Sequence, residues 1–366
     1  MTIDSAAKKL FEHLELPNQV AIGNKIIGQG RPIFVVAEIG CNHNGNVELA
    51  KKMIEEAAKA GADAVKFQKR DVDETFIKEM RDQKQTKTLV FGKTYGDYRR
   101  FQEMTLEEFK EIKRHAEKLG LFFFVTPFDF KSVDFLEELQ VDAYKISSFD
   151  VTNFPLVERI AQLKKPIILS VGMSSLEEID GCLNTIFKHH NEVIINHCIS
   201  TYPTPLNDVH LRNILYLKER YHPLPIGYSG HEKGIMPTIM ACAMGATAVE
   251  RHVTIDKNLP GPDHATVSLD MNELRDLVLH LRNLEVAFGD FQKIIRESEV
   301  RAREKHSKSI VAKTRIPVGT TIGIEMLTFK CPGTGLKPYQ VNQLLGKVTR
   351  FDIEEDTIIP KEALNW

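Results

Sequence analysis

From about residue 31 to 290, short apolar runs rich in β-branched and aromatic residues alternate with longer stretches whose apolar positions recur every three or four residues. That switch between periods of 2 and 3.6 predicts repeated strand and helix units. Eight runs read as strands: IFVVAEIG (33–40), AVKFQ (64–68), LFFFVTPF (121–128), AYKISS (143–148), PIILSVG (166–172), EVIINHCIS (192–200), LPIGYSG (224–230) and AVERHVT (248–254). Between them, Leu49, Met53, Ile54 and Ala57 share one helical face, as do Phe109, Ile112 and Ala116, and Gly61 and Gly120 stop those helices. Eight parallel strands over this span predict an α/β fold, a closed (β/α)8 TIM barrel with its active site where the strands end. The alternative is an open doubly wound sheet, but its G-x-G-x-x-G turn is missing after the first run, where AEIGCNHNG follows.

The flanks read differently. Residues 1–30 form an extension in which QVAIGNKIIG places two short alternating runs around Gly23-Asn24, predicting a hairpin that plugs the N-terminal end of the barrel; an unstructured leader is the competing reading. With the barrel at 31–290, residues 291–308 are dense in mixed charge and read as a linker or exposed helix. In residues 309–366, Ile316, Thr320, Ile322, Glu325 and Leu327 recur at the spacing of Ile353, Thr357, Ile359, Glu362 and Leu364, which predicts a small pseudo-symmetric β-rich module. A module this short has a marginal core and gains by docking.

Charge narrows the function. The 366 residues carry 48 basic and 50 acidic side chains, a net of −2. Such a chain has no global field for nucleic acid or an anionic membrane, so an anionic small molecule must be met by a local cluster. Five cysteines without paired spacing (Cys41, Cys182, Cys198, Cys242, Cys331) read as thiols of a reducing compartment. No basic start with an apolar stretch marks a signal peptide, and no apolar run approaches a membrane span, so the expected location is cytoplasmic.

Polar residues gather at the ends of the apolar runs, around one opening of a barrel. On the eighth run Glu250 and His252 share a face while Arg251 points away; on the seventh, Ser229 and His231 share a direction. Strands seven and eight are neighbours, which brings His231 beside His252. Two imidazoles near carboxylates suit a divalent cation such as Mn²⁺, Zn²⁺ or Fe²⁺, against the ordinary alternative of structural hydrogen-bonding histidines. Lys66 and Lys145 lie in buried-looking strands, and inward lysines imply an anionic ligand or a buried acid. Thr126, Ser148, Ser170 and Ser229 add donors for a phosphate or carboxylate. In the competing readings each lysine snorkels outward along its stem, or one forms a Schiff base. Glu38 and Asp150 are candidate acids for sugar hydroxyls or a general base, with helix capping or lysine balancing as alternatives.

AEIGCNHNG, VKFQK, TPFD, YKISS, ILSVGM, YPTP, GYSGHE, ERHVT and GPDHA occur in this order, and together they resemble the sialic acid synthase family, which joins phosphoenolpyruvate to N-acetylmannosamine or its 6-phosphate. The resemblance runs from about residue 20 to the end. The C-terminal repeat looks like the family's antifreeze-like (SAF) module. It implies a domain-swapped homodimer and a divalent metal, Mn²⁺ first, with Mg²⁺ or Co²⁺ as alternatives. Matched position by position, Lys66, Thr126, Lys145, Ser148, Ser170 and Ser229 fall in the family's phosphoenolpyruvate pocket. His231 and His252 match its metal ligands. Glu38, Tyr202 and Asp263 fall around the sugar, Asp150 at an acid serving the attacking water, and Glu250 just before the second metal ligand.

Departures concern the sugar. Bacterial members carry an arginine in R-P-G-x-G, where this chain reads Cys331-Pro332-Gly333-Thr334-Gly335, and a thiol cannot supply a guanidinium's fork of donors. Ser200 stands where bacterial members often have asparagine, while GKTYG (92–96) and GYSGHEKGI resemble the animal phosphate-ester synthases. The substrates open at this point are N-acetylmannosamine, its 6-phosphate, or a diamino precursor of legionaminic or pseudaminic type. A catalytically silent sugar-binding barrel and a metal-dependent pyruvate aldolase are the functions of other classes.

Overall fold

The computed structural model describes Phe11, 14–84 and 91–363 and divides into two compact units, 1–289 and 290–366. In the first, β1 (Gln19–Ile22) and β2 (Lys25–Gly28) form the anticipated hairpin. Eight parallel strands follow: β3 (Phe34–Gly40), β4 (Ala64–Lys69), β5 (Phe122–Pro127), β6 (Tyr144–Ile146), β7 (Ile167–Ser170), β8 (Val193–Cys198), β9 (Ile226–Gly230) and β10 (Ala248–Thr254). Each pairs with the next, and β10 pairs with β3, which closes a TIM barrel. A two-residue strand, β11 (Leu269–Asp270), adds to β10. The helices around it include α1 (Val47–Ala60), α2 (Tyr95–Phe101), α3 (Leu106–Lys118), α4 (Phe130–Leu139), α5 (Phe154–Ala161), α6 (Leu176–Phe187), α7 (Arg212–Arg220), α8 (Met236–Ala243) and α9 (Met271–Phe288).

Strand alternation divides the core in two. Val35, Ala37 and Ile39 of β3, Val65 and Phe67 of β4, and Val249 and Val253 of β10 pack outward with Met53, Ile54 and Ala57 of α1 and Phe109, Ile112 and Ala116 of α3. The alternate residues Phe34, Val36, Ala64, Phe124, Ala143, Ile168, Ile194 and Ala248 make a separate inner cluster. Val20, Ile22 and Ile27 of the hairpin join it, all at most 1% exposed, so the hairpin seals the end of the barrel where the strands begin. Gly23 turns it at φ +56°, where a Cβ would meet the Phe122 ring. Along each strand the same inward period passes from apolar to polar: Val36 gives way to Glu38, Ala64 to Lys66, Phe124 to Thr126, Ile168 to Ser170, Ala248 to Glu250. A dry plug at one end and a polar layer at the other are thus one pattern read along its length.

Helix ends place the loops that follow the strands. Asn46 caps α1 by accepting from the Leu49 N–H at 2.9 Å, Gly61 ends α1 at φ +87°, and Thr105 with Glu108 closes a capping box on α3.

The second unit contains an exposed helix, α10 (Glu297–His306), where the mixed-charge segment was expected. It is followed by antiparallel β12 (Ser309–Ala312) and β13 (Leu327–Lys330). Its core holds Ile310, Ile316, Ile322, Leu327, Leu336, Leu344, Ile353 and Ile359. Ile316 and Ile353, equivalent positions of the near-repeat, bridge each other through two 2.8 Å backbone hydrogen bonds. The repeat's Leu364 lies outside the described residues, as do 1–10 of the N-terminal extension.

Candidate active site

The polar ends of the inward faces converge on one cavity of about 60 Å³. Of the thirteen residues singled out from the sequence, eleven line it: Glu38, Lys66, Thr126, Lys145, Ser148, Ser170, Tyr202, Ser229, His231, Glu250 and His252. Asp150 and Asp263 do not line it. Asp150 ends a 3-10 turn just after β6, its Oδ1 accepting from Asn153 at 3.1 Å, its Oδ2 buried without a partner. Asp263 sits in a short helix, Pro262–Thr266, near enough to bear electrostatically on His252. A roomier pocket of about 330 Å³ lies among Lys69, Arg70, Asp73, Arg100, Glu103 and Lys131. There most charges already pair, Lys69 with Glu103 and Arg100 with Asp73.

The two lysines differ in their company. Lys66, 3% exposed, has Glu38 Oε1 at 2.9 Å, Glu250 Oε1 at 3.5 Å and Thr126 Oγ1 at 3.1 Å. Two buried carboxylates share that one ammonium. Burial pushes the Glu38 carboxyl above its usual range, with Lys66 opposing and Glu250 adding to the shift. Burial also works to raise Glu250, but Lys66 and Lys145 hold it below the ordinary value. Lys145 donates to Ser170 Oγ at 2.8 Å and to the Ile146 carbonyl at 3.0 Å, and no carboxylate among the described residues lies within ion-pair distance. Burial, joined by repulsion from Lys66, lowers its pKa. A buried ammonium with only neutral partners is a place for an anion. Ser148 Oγ accepts from the Gly172 N–H at 2.9 Å, and Ser229 Oγ donates to Glu250 Oε1 at 3.4 Å.

Beside Glu38 in the strand register, the ring of His252 lies 5.3 Å from that of His231, with Tyr202 4.1 Å from His231. His231 Nδ1 donates to the Ile199 carbonyl at 2.9 Å, which leaves Nε2 with its lone pair for a ligand. His252 Nδ1 is buried without a partner, and burial depresses that imidazole to about 3, so it is neutral and basic enough only for a metal or a donor. These atoms fit a divalent cation held by two protein imidazoles. Among the described residues no group of three or more His, Cys, Asp or Glu side chains forms a closed metal cage.

Sequence reasoning passed over Gln68, Phe128, Ser147, Phe149 and Cys198, and treated Ser200 only as a departure; all line the cavity. Gln68 and Cys198 were within reach of the same rule, two residues beyond Lys66 and Asn196 on inward faces. Gln68 donates to Glu38 Oε1 at 2.8 Å, and Cys198 Sγ is 3.7 Å from His231 Nδ1. All five cysteines are unpaired.

Fold and site together define a (β/α)8 barrel with a buried layer of lysines, carboxylates, hydroxyls and imidazoles at the ends of its strands. Residues 53–293 match the NeuB family and 307–365 the SAF domain, and the chain belongs to this family, the sialic acid synthases. It is 37% identical over 339 residues to the mouse N-acetylneuraminate-9-phosphate synthase, covering 92% of this chain and 94% of that one. It is 39% identical over 330 residues to the N,N'-diacetyllegionaminic acid synthase of Campylobacter jejuni, covering 89% and 98%. The crystal structure of the N-acetylneuraminic acid synthetase of Leptospira borgpetersenii, in complex with citrate, superposes with a TM-score of 0.70 at 34% identity, covering 78% of this chain and 95% of that one.

Proposed function

We propose that this protein condenses phosphoenolpyruvate with an N-acetylmannosamine-type amino sugar, or its 6-phosphate, giving a sialic-acid-like nonulosonic acid and inorganic phosphate. The observation that carries this is Lys145, buried, hydroxyl-bonded and without a carboxylate, beside Lys66. With Thr126, Ser148, Ser170 and Ser229 these lysines hold the phosphate and carboxylate of phosphoenolpyruvate, and their fixed donors balance the charge that redistributes as the bonds change.

In the reaction C3 of phosphoenolpyruvate forms a bond to the open-chain sugar's aldehyde carbon, whose oxygen takes up a proton. Water adds at C2 and loses a proton, and cleavage of the C2–O bond releases phosphate. His231 and His252 would hold a divalent cation, Mn²⁺ first with Mg²⁺ or Co²⁺ as alternatives, which supplies Lewis-acid polarisation of the aldehyde oxygen. Glu38, with its raised pKa, stands where a proton can be stored and returned, and Glu250 stays ionised between the lysines and the imidazoles. Asp150 takes the proton of the attacking water, and Tyr202 and Asp263 bound the sugar's side. A domain-swapped homodimer working in the cytoplasm belongs to the same reading; no helix of the described residues is long and apolar enough to cross a membrane.

The relatives' names divide over the sugar, and the legionaminic acid synthase at 39% identity favours a diamino sugar as the second reading. Incubating the purified protein with phosphoenolpyruvate, Mn²⁺ and a panel of amino sugars, and measuring inorganic phosphate, tests all of these. A pyruvate aldolase releases no phosphate, and a silent barrel turns over nothing.

A further inference from the structure

The two imidazoles of the site are held by different means. His252 lies within β10, its backbone in ladder register with Glu38 of β3. His231 lies one residue beyond β9, whose last pair with β10 is Gly230 with Arg251. Its own tethers run to the loop after β8: its carbonyl accepts from the Thr204 N–H at 3.0 Å, and its Nδ1 donates to the Ile199 carbonyl at 2.9 Å. Neither of these reaches β10.

An ion pair on the outward face, between the residues next to each histidine, ties the turn to β10. Glu232, 0% exposed, follows His231, and Arg251, 1% exposed, precedes His252. Arg251 Nη1 donates to Glu232 Oε1 at 2.9 Å and to the Gly234 carbonyl at 2.8 Å, and Nη2 donates to the Glu232 carbonyl at 2.6 Å. Thr238 Oγ1 of α8 accepts from Nη1 at 2.8 Å and donates to Glu232 Oε1 at 3.2 Å. The Tyr228 hydroxyl donates to Glu232 Oε2 at 2.7 Å. At Gly230 a Cβ would come 2.7 Å from both Glu232 Oε2 and the Tyr228 ring, so glycine is what lets the carboxylate lie back against the strand end.

Stability is a poor account of this pair. A buried ion pair offsets the desolvation of two charges only when the remaining protons are matched as well, and Arg251 Nε is buried with no partner among the described residues. Two of the guanidinium's contacts go to backbone carbonyls of the turn rather than to carboxylate. A rigid planar fork that binds several fixed acceptors sets where that turn lies relative to β10. The rings of His231 and His252, 5.3 Å apart, take their spacing from it through one peptide unit each.

We propose that Glu232 and Arg251 are the positioning pair of the metal site: from the outer face of the barrel they fix the backbone of His231 against that of His252, and so set the separation at which the two imidazoles meet a divalent cation. Neither residue lines the cavity. This rests on metal binding by the two histidines, as proposed above.

The test titrates the metal-free, full-length protein with Mn²⁺, counts the free ion by its paramagnetic resonance signal, and follows thermal unfolding of the same protein. Glu232→Gln/Arg251→Met removes both charges together, and the Gln keeps an acceptor for Tyr228 and Thr238, so it should melt near the wild type. Its Kd for Mn²⁺ should nevertheless rise by about 10- to 100-fold, the usual loss when a group supporting a metal ligand is removed. Arg251→Lys keeps the charge without the fork, and its Kd should fall between the two. A wild-type Kd in whichever of these variants folds makes the pair merely structural and overturns the positioning role, leaving the metal site standing. Wild type that binds no Mn²⁺, or His252→Ala that binds it as tightly as the wild type, overturns the metal assignment itself and the positioning role with it.

Discussion

At the residue scale, the two lysines that the sequence presents alike have different roles. Removing the Lys66 ammonium leaves Glu38 and Glu250 facing each other in a dry layer, so Lys66→Ala should cost stability as well as affinity. Lys145→Ala breaks no ion pair and should weaken phosphoenolpyruvate by about 10- to 150-fold while moving the sugar's KM less, as steady-state kinetics would register. Unchanged phosphoenolpyruvate affinity would make Lys145 structural. Asp150 is a further case. Burial lifts its carboxyl from 3.8 to about 6, with Asp129 adding to the shift and Asn153, Lys145 and Arg70 opposing it. A raised carboxylate pKa means the fold binds a proton the unfolded chain has released, so stability falls as pH rises from about 4 to 6. Asp150→Asn should therefore be more stable than wild type above pH 6, by at most roughly 3 kcal/mol, with the gain vanishing below pH 4 in denaturant titrations. As a base it should also impose an acid limb near pH 6 on kcat, absent from the Asn variant's residual rate.

At the element scale, the strand ends and the hairpin carry opposite duties. His231 and His252 reach each other because β9 and β10 are paired neighbours whose inward faces run in phase. His252→Ala should keep the fold, lose Mn²⁺ affinity in a direct binding titration and lower turnover by orders of magnitude, and chelation of the wild type should do the same. Full turnover after exhaustive metal removal would sink that assignment. The hairpin, by contrast, is packing. Ile22 is 0% exposed in the inner cluster, so Ile22→Ala should cost about 2–5 kcal/mol in chemical unfolding while leaving KM values near those of the wild type. An unstructured leader would make that substitution silent.

At the scale of the whole molecule, the second unit has its own core and its own bridged repeat, which makes it a separable part. If it completes a partner's site in a homodimer, deleting 309–366 should abolish turnover or raise the sugar's KM while largely sparing phosphoenolpyruvate binding to the barrel. A monomeric truncated barrel with full activity on the same sugar would remove the module from the site. Cys331 is exposed and its Sγ lies 3.2 Å from the His306 carbonyl, so the side chain of Cys331→Arg has room to extend. That variant should shift preference toward the unphosphorylated sugar, as competing-substrate assays would record.

The sequence by itself determined the closed barrel, the plugging hairpin, the repeat in the second unit and eleven residues lining one cavity. All of these follow from local periodicity: an inward face that repeats every second residue must change from apolar to polar where the barrel meets solvent, and that change is written in each strand. Gln68 and Cys198 obey the same rule and were legible too. What only the tertiary structure decided is which charge meets which. Lys66 lies between two carboxylates and Lys145 beside none, and Asp150 and Asp263 fall behind the lining. These pairings join residues on different loops and strands, separated by tens to hundreds of positions, and no local pattern encodes such distances. They are set when the barrel closes and burial makes each unmatched charge count.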